Sequence, residues 1–461
     1  MTSSQGGEPD TRPNALDGGL ARWIETITGA ALASVQELTG GASRNSYIVT
    51  SVTGTKTFLR LDAGHGPLSG TSFTLARECA VVAQLRDNGV PVPELLAFSG
   101  EHNAALMEFI PGHTSYQAIG TQEEEAKLRR ELMVAVVALQ RIDPRKITEL
   151  GEHRGDALGT AIPADLALWR QMYTERSSIR DPLVDFSLNW LARSVPDAAA
   201  RCVVVHGDSG PGNFLIFNGQ IKAVIDWEMT RLGHPLEDVA CIIARALGAP
   251  FGEPHEHVKN YEQLTGTTVN YRKLDYALSL VLARWLVGIL MALSRPSALQ
   301  NVPMLFAFRQ INGLALIEAL CRVNDVPVVE QPIQFRNGDP CTSVFTYGVD
   351  SLKQMAADPS TLGANSYRLN GIADLMAYLR SFIDYGPESY QREEIERISA
   401  IVERPLAGAA EANAAICEFA RSVNPGSVRP LLEYLLWRAQ REQAIMRIAL
   451  GERKDNRIRY D

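Results

Sequence analysis

The side chains best suited to chemistry lie close together near the middle of the chain. Two short runs of β-branched apolar residues, 203–205 and 221–225, are predicted strands, and a carboxylate follows each of them. Asp208 comes shortly after the first strand and Asp226 directly after the second, while Asn213 lies in the polar loop between them. Because buried strands hold their ends rigidly, polar groups just beyond them can keep the fixed geometry that a reaction needs.

The set of Asp208, Asn213 and Asp226 suits phosphoryl transfer. This reaction requires in-line positioning of the reactants, divalent metal ions across the phosphates, and a carboxylate that orients or deprotonates the attacking hydroxyl. Asp208 can supply the carboxylate, while Asn213 and Asp226 offer the oxygen ligands that Mg²⁺ prefers. A single aspartate after an apolar run is more often a turn or helix-cap residue, so the prediction depends on the spaced set of three.

Upstream of this loop, the chain is predicted to form a small antiparallel sheet with one helix. Apolar alternation between glycine-containing turns predicts the strands, and helical apolar spacing predicts the helix. The predicted strands cover 34–38, 46–52, 56–61 and 104–109, and the helix covers 75–88. Beyond residue 112 the pattern becomes mainly helical, and this asymmetry predicts two lobes.

The chain is too long for one ordinary core and is predicted to be an α+β protein of several parts. A segment rich in Pro, Gly and Asn marks a boundary, and a helical pattern resumes after it. The predicted division is a disordered leader at 1–19, an N-lobe that binds nucleotide at 20–112, a helical C-lobe with the catalytic loop at 113–325, a linker at 326–340 and a helical C-terminal domain at 341–461.

Composition argues against several other classes of protein. The net charge of −8 disfavours a nucleic-acid partner, because phosphate neutralisation needs a basic domain or stripe. The six scattered cysteines contain no CxxC pair, which predicts reduced thiols in a cytoplasmic protein. The N-terminus lacks the pattern of a signal peptide. The most apolar stretch, 274–293, carries Asp275 and Arg284, which favours a buried helix over a membrane span, so no membrane partner is predicted.

Two motifs resemble those of a known family. HGDSGPGN at 206–213 and IDWE at 225–228 look like motifs of the aminoglycoside-phosphotransferase and choline-kinase group of kinase-like small-molecule phosphotransferases. The branch most similar is the N-terminal kinase domain of some long acyl-CoA dehydrogenases, and the likeness covers roughly residues 25–325. It implies a protein-kinase-like bilobal fold, with a small antiparallel N-lobe and a mainly helical C-lobe, and ATP or GTP as co-substrate. It also implies Asp208 as the catalytic base, with Asn213 and Asp226 as the Mg²⁺ ligands.

The same resemblance implies nucleotide-binding residues upstream. The run LTGGASRNSYIV looks like the family's phosphate-covering turn, in which small residues let backbone amides approach the nucleotide. Arg60 in TFLRLD falls where the family has the cation for the α- and β-phosphates, and Glu78 in LAREC falls on the helix glutamate that pairs with it. The run MEFIPG looks like the hinge, where backbone groups around Glu108 and Phe109 would receive adenine. The residues of the turn implied to bind the nucleotide are Gly40, Gly41, Ser43 and Asn45.

This sequence departs from the family pattern at two positions. Arg60 stands where many kinases have lysine, and arginine is a wider fork that is always charged, so the geometry of phosphate binding differs. His234 stands where the family usually has an acid. Asp238, four residues further on, matches the family's second aspartate and is expected to brace the catalytic loop.

The GDSGP run and three histidines allow other interpretations, as a protease loop, a catalytic base or a metal site, and these are disfavoured. The run GDSGP resembles the nucleophile loop of trypsin-like proteases, but no upstream histidine in an AAHC-like setting accompanies it. His206 is predicted to be a structural residue of the loop, since Asp208 occupies the catalytic position. His255 and His257 could indicate a metal site, but a solvated helix start is the favoured interpretation.

The sequence thus predicts an ATP- or GTP-dependent kinase that phosphorylates a hydroxyl of a small molecule. The alternative from another class is a non-catalytic nucleotide-binding or scaffolding pseudokinase with the same fold. Protein-kinase activity is disfavoured because HRD, DFG and APE segments are not found. The acceptor stays open among aminoglycosides, macrolides, hydroxyacyl thioesters, sterol-like or aromatic alcohols and amino alcohols. The apolar helices and low net charge favour a partly apolar acceptor over a polycation, and a homodimer is left open.

Overall fold

A computed structural model describes most of the chain. The described residues are 16–38, 44–62, 64, 68–115, 120–151, 157–295, 302–330, 333, 335, 340–358, 361 and 364–460. The chain separates into two compact units. The first comprises residues 1–157, 201–246 and 251–268, and the second comprises 158–200, 247–250 and 269–461. The predicted division into lobes, linker and C-terminal domain stays a prediction.

The helices and strands of the described residues are numbered here in chain order. The strands are β1 (Leu32–Leu38), β2 (Asn45–Ser51), β3 (Lys56–Leu61), β4 (Leu95–Ser99), β5 (Ala104–Glu108), β6 (Val203–Val205), β7 (Phe214–Phe217), β8 (Gln220–Val224) and β9 (Arg231–Gly233). The helices are α1 (Gly18–Thr28), α2 (Leu75–Asp87), α3 (Gln122–Gln140), α4 (Thr148–Gly151), α5 (Leu158–Arg176), α6 (Pro182–Arg193), α7 (Glu237–Arg245), α8 (Pro254–Thr265), α9 (Tyr271–Ser294), α10 (Val302–Val323), α11 (Pro340–Ala357), α12 (Ala364–Tyr385), α13 (Pro387–Ile401), α14 (Ala409–Ser422) and α15 (Arg429–Leu450). An antiparallel sheet followed by a mainly helical chain confirms the predicted α+β class.

Strands β1 to β5 form the antiparallel sheet of the first unit, in the order β1-β2-β3-β5-β4. Alternate residues of β2 are buried, so Tyr47 and Val49 pack on one face with Leu59 of β3 and Leu106 of β5. Ile24 of α1 covers this face. The register then places Arg60 in the middle of the sheet, opposite Ser46 on one side and Ala105 on the other.

Helix α2 packs on the sheet beside this arginine. The Thr74 hydroxyl accepts a hydrogen bond from the Arg77 N–H and caps the helix. Leu75 and Cys79 pack with Ala105 and Met107 of β5. Since residues three or four apart share a helix face, this contact also turns Glu78, which is only 1% exposed, towards the sheet.

Two small sheets of the first unit carry the loop with the predicted catalytic residues. Strand β6 pairs with β9, and β7 pairs with β8, each pair antiparallel. The predicted strands 203–205 and 221–225 are therefore both present as β6 and β8, but they belong to different ladders. The chain leaving β6 forms the loop of Asp208 and Asn213 and returns along β7, and Asp226 lies just after β8.

The second unit is helical and has its own buried core. Among the described helices, α9 and α10 have the length and apolar composition of a membrane-spanning helix. In each of them, 72% of the most apolar stretch is buried inside the protein. Arg284 of α9 is buried there and donates from Nε to Asp165 of α5 at 2.8 Å. Asp165 therefore neutralises the positive charge that Arg284 brings into the core.

Candidate active site

Asp208 is held by two side chains of its own unit. The Nη1 atom of Arg245, the last residue of α7, lies 2.8 Å from each of the two carboxylate oxygens of Asp208. The Nδ2 atom of Asn213 donates to Oδ2 of Asp208 and to its backbone carbonyl, both at 2.7 Å. The carboxylate keeps about a fifth of its surface exposed (21%), so it is oriented and still accessible.

The backbone before Asp208 rests on buried Asp238. The N–H groups of His206 and Gly207 donate to the two oxygens of this carboxylate at 2.9 and 3.0 Å. Burial raises the pKa of Asp238, although these donors and the charge of Arg231 oppose the shift. Gly207 has φ +83°, and a Cβ there would lie 2.5 Å from the Met229 carbonyl oxygen, so this turn requires glycine.

The imidazole of His206 is also part of this framework. Its Nδ1 accepts the backbone N–H of Asp208 at 3.1 Å, so its Nε2 carries the proton and donates to the Ile225 carbonyl at 2.9 Å. The ring thereby links the segment of Asp208 to the segment of Asp226. This geometry agrees with the predicted structural role of His206, and Asp238 holds the loop as expected.

Asp226 binds the arginine that the sequence singled out. Its Oδ1 accepts from Nη2 of Arg60 at 2.6 Å, and its backbone is left-handed, with φ +69°. Burial opposes ionisation of Asp226, but the guanidinium outweighs it and the pKa of the carboxyl is lowered. Arg60 also donates from Nη1 to Oε1 of Glu78 at 2.8 Å, so its planar fork bridges the helix glutamate and Asp226.

A second arginine, Arg44, belongs to the same cluster. It contacts Glu78 through Nη1 and lies 3.6 Å from Glu228 through Nη2, which also donates to the Phe73 carbonyl at 3.1 Å. Burial lowers the pKa of Arg44, and the charge of Arg60 lowers it further. The cluster contains two guanidinium groups and three carboxylates, those of Arg44, Arg60, Glu78, Asp226 and Glu228. Its net negative charge is suited to an added cation.

Asn213 and Asp226 lie on adjoining backbone segments. The Ile225 N–H donates to the Asn213 carbonyl at 2.9 Å and extends the β7–β8 ladder to these residues. The amide nitrogen of Asn213 faces Asp208, which leaves its Oδ1 as the atom that can bind a cation. Within the described residues, no group of three or more His, Cys, Asp or Glu side chains could hold a metal ion. Two protein oxygen ligands nevertheless fit Mg²⁺, which takes its remaining ligands from phosphates and water.

The other predicted nucleotide-binding residues have no contact with this cluster or lie outside the described residues. Asn45 is exposed at the start of β2, opposite Leu61. The N–H of Glu108 already donates to the Glu94 carbonyl at 2.9 Å, so it is not available to adenine, and the Phe109 ring packs 5.5 Å from the Lys56 ammonium. The predicted turn residues Gly40, Gly41 and Ser43 lie outside the described residues.

Sequence reasoning missed three charged residues at the site. Arg44 lies in the predicted turn, between Ser43 and Asn45. The turn was interpreted from its small residues, so the arginine was not considered. Glu228 ends the IDWE motif, of which only the aspartate was used. Arg245 follows Asp238 by seven residues, a spacing that shares one helix face, and this was the available signal.

Part of the chain matches a known protein family and two curated relatives. Residues 34–274, more than half of the chain, match the model of the phosphotransferase enzyme family. The chain is 25% identical over 225 residues to acyl-CoA dehydrogenase family member 11 of Gallus gallus, covering 46% of this chain and 28% of that protein. It is 28% identical over 184 residues to family member 10 of Mus musculus, covering 38% and 17%. The matched segment thus spans less than a third of these relatives.

Solved structures of phosphotransferases are similar to part of this chain at low sequence identity. An ethanolamine kinase of Plasmodium vivax is 15% identical, with 62% of this chain and 82% of that chain covered and a TM-score of 0.45. A macrolide 2′-phosphotransferase of Brachybacterium faecium is 19% identical, with 65% and 97% covered and a TM-score of 0.44. The family match confirms the predicted resemblance to the aminoglycoside-phosphotransferase group, and the five-stranded antiparallel sheet followed by helices is the predicted kinase-like fold. The chain belongs to the phosphotransferase enzyme family.

Proposed function

We propose that this protein transfers the γ-phosphate of ATP or GTP to a hydroxyl of a small molecule, with Mg²⁺. Membership of the phosphotransferase family supports this proposal. The single observation that carries it is the arrangement of the two carboxylates. Asp208 and Asp226 come from different ladders, and the Ile225–Asn213 and His206–Ile225 hydrogen bonds join their segments. An accessible carboxylate next to a two-oxygen cation site is what phosphoryl transfer needs.

Each residue has a distinct part in the proposed reaction. Asp208 accepts a hydrogen bond from the acceptor hydroxyl, orients it towards the phosphorus and receives its proton. Asn213 and Asp226 would hold Mg²⁺, and Arg60 would contact the phosphates. The metal ion would neutralise charge on the phosphates. Glu78 binds Nη1 of Arg60, so the guanidinium keeps a carboxylate partner when Nη2 is not bound to Asp226.

The charge beside Asp208 bears on the acceptor. Arg245 lies within hydrogen-bond distance of both Asp208 oxygens, and its guanidinium is always ionised. The Arg245–Asp208 pair leaves no net negative charge that would attract a polycation, so we propose a neutral, partly apolar acceptor. We also propose a cytoplasmic location, because the cysteines whose side chains are described form no disulfide and are buried; they are Cys79, Cys202, Cys241, Cys321 and Cys417.

The test is ADP or GDP release by the full chain with Mg²⁺ and a library of small hydroxyl compounds. We expect release with a subset of neutral hydroxyl compounds and its loss in the Asp208→Ala variant. Arg129→Met is the matched control, because Arg129 also joins two acids of the first unit, Glu125 and Glu256, but lies outside the site. Equal release by wild type and Asp208→Ala would overturn the assignment of the base.

A pseudokinase is the second candidate, and one observation favours it. Asp226, the carboxylate that would bind Mg²⁺, is already paired with Arg60 at 2.6 Å. A protein that does not bind a metal ion could keep this pair permanently. Thermal unfolding separates the two candidates. An enzyme should be stabilised by nucleotide more strongly with Mg²⁺ than without it, whereas a metal-independent scaffold should show equal shifts.

A further inference from the structure

Arg245 crosses the loop that carries Asp208. Its Nη1 contacts both oxygens of Asp208 at 2.8 Å, and its Nε and Nη2 donate to the Pro211 carbonyl at 3.0 and 2.7 Å. One guanidinium group therefore fixes both the side chain of Asp208 and the backbone three residues after it. This arrangement uses the planar fork of arginine, which lysine cannot reproduce.

The loop is shaped to let this side chain pass. A Cβ at position 210 would lie 2.8 Å from Cδ of Arg245, and Gly210 has φ +139°, a backbone conformation that other residues rarely adopt. The aliphatic part of Arg245 thus occupies the space that a side chain at Gly210 would need. The loop and the arginine fit each other as a built unit, not as a chance surface pair.

A second arginine pair nearby shows what a purely structural pair looks like. Arg231 binds Glu237 with side-chain exposures of 3% and 0%, so this pair is sealed inside the protein. The Arg245–Asp208 pair keeps 25% and 21% of its side-chain surface exposed. The difference places Arg245 at the accessible side of the loop, where reactants arrive.

We propose that Arg245 is a positioning residue that fixes the Asp208 carboxylate for the acceptor hydroxyl. The inference rests on the proposed function and deepens it. Among the described residues, Oδ2 of Asp208 accepts from both Arg245 and Asn213, whereas Oδ1 accepts from Arg245 alone. Oδ1 therefore keeps more free lone-pair capacity and is the oxygen that receives the hydroxyl.

The test compares Arg245→Met, Arg245→Lys and the matched control Arg129→Met in the full chain. We expect Arg245→Met to lower kcat about 10- to 100-fold, because a displaced reacting group can cost that much, with the Kd of Mg²⁺–nucleotide within about twofold of wild type. Added guanidinium chloride should restore part of the kcat of Arg245→Met and should not raise that of wild type or Arg129→Met. A merely structural role would not produce this rescue.

Arg245→Lys keeps the charge and guards against a misfolded methionine variant. We expect a kcat about 3- to 10-fold below wild type with an unchanged Tm, since lysine cannot bind Asp208 and Pro211 together. A wild-type kcat in Arg245→Lys and Arg245→Met, while Asp208→Ala is inactive, would overturn the inference and leave the proposed function standing. An Asp208→Ala variant as active as wild type would overturn both.

Discussion

Asp208 and Asp226 both follow a strand and both bind a guanidinium group, yet the two pairs differ in what they allow. The partner of Asp208 comes from α7, and its bonds leave the carboxylate free to receive a hydroxyl. The partner of Asp226 comes from β3 and occupies Oδ1, one of the two oxygens that the proposed metal ion could use. In the proposed reaction Arg245 can stay in place, whereas Arg60 would have to release Oδ1 of Asp226 if the metal ion took that oxygen. Similar ion pairs can therefore serve opposite purposes.

The surroundings of the two carboxylates explain this difference. Asp208 faces one guanidinium and one amide, so its charge is balanced. Asp226 belongs to the cluster of two guanidinium groups and three carboxylates. If Mg²⁺ displaced Arg60 from Asp226, Glu78 would still pair with Arg60, which would not be left as an unpaired buried charge. Substitutions of Asp208, Asp226 and the residues that hold them test this difference between the two carboxylates. The largest effect is expected at Asp208.

Removing the carboxylate at position 208 should abolish most of the turnover and little of the binding. We expect Asp208→Ala to lower kcat about 10²- to 10⁴-fold, because the orienting group for the hydroxyl is lost. The Kd of Mg²⁺–nucleotide should stay within about twofold of wild type, since Asp226 and Arg60 remain. Steady-state ADP release and calorimetry measure the two quantities. A large loss of nucleotide affinity would mean that the two carboxylates are not separate in function.

The backbone under Asp208 should be sensitive to loss of Asp238. The Asp238→Ala substitution leaves the buried N–H groups of His206 and Gly207 without their acceptor, at about 2–4 kcal/mol of unfolding free energy in total. Urea denaturation of both proteins measures the change. Asp238→Asn keeps one oxygen and should lose less. Equal stability of wild type and Asp238→Ala would show that the loop of Asp208 does not depend on this brace.

Removing the carboxylate at position 226 should mainly weaken nucleotide binding, whereas removing the one at position 208 should mainly lower kcat. We expect Asp226→Ala to weaken nucleotide binding about 10- to 100-fold in the presence of Mg²⁺, because one of two protein ligands is lost. Without Mg²⁺, affinity should stay equal or rise, since Arg60 is freed from its pair and can contact the phosphates. Calorimetry with and without Mg²⁺ separates the loss of the metal ligand from the release of Arg60. An equal Mg²⁺ effect in both proteins would exclude Asp226 as a ligand.

The sequence predicted the carboxylates of the candidate site but not the arginine that binds Asp208. Motif spacing predicted Asp208, Asn213 and Asp226 as site residues, and the strand carrying Arg60 was predicted with its observed bounds, because both predictions rest on local patterns. Arg245 was missed because its contact depends on the path of a long side chain across a turn. No apolar period or short motif encodes such a path.

Pairing of strands was equally beyond the local patterns. No strand was predicted at β4, and no partner was predicted for β6, which pairs with β9 while β7 pairs with β8. Alternation of apolar residues shows which face of a strand is buried but not which strand lies beside it. The helices after residue 113 were easier, because a 3.6-residue period over many residues is a strong signal. Helix α9 contains the whole of the apolar stretch 274–293 that was predicted to be a buried helix.

The smallest effect, and the finest test of the contrast, is expected from Arg60→Lys. An ammonium group keeps the charge, but its three N–H donors share one nitrogen, so it cannot span Glu78 and Asp226 from two nitrogen atoms, as Arg60 does at 2.8 and 2.6 Å. We expect Mg²⁺–nucleotide affinity to fall about 2- to 10-fold, because phosphate contacts weaken while Asp226 becomes easier to free for the metal. Calorimetry against Arg60→Met, which removes the charge, gives the comparison. If Arg60→Lys lost as much affinity as Arg60→Met, the fork geometry and not the charge would govern phosphate binding. If Arg60→Lys instead bound Mg²⁺–nucleotide more tightly than wild type, breaking the Arg60–Asp226 pair would cost more free energy than the phosphate contacts of Arg60 return.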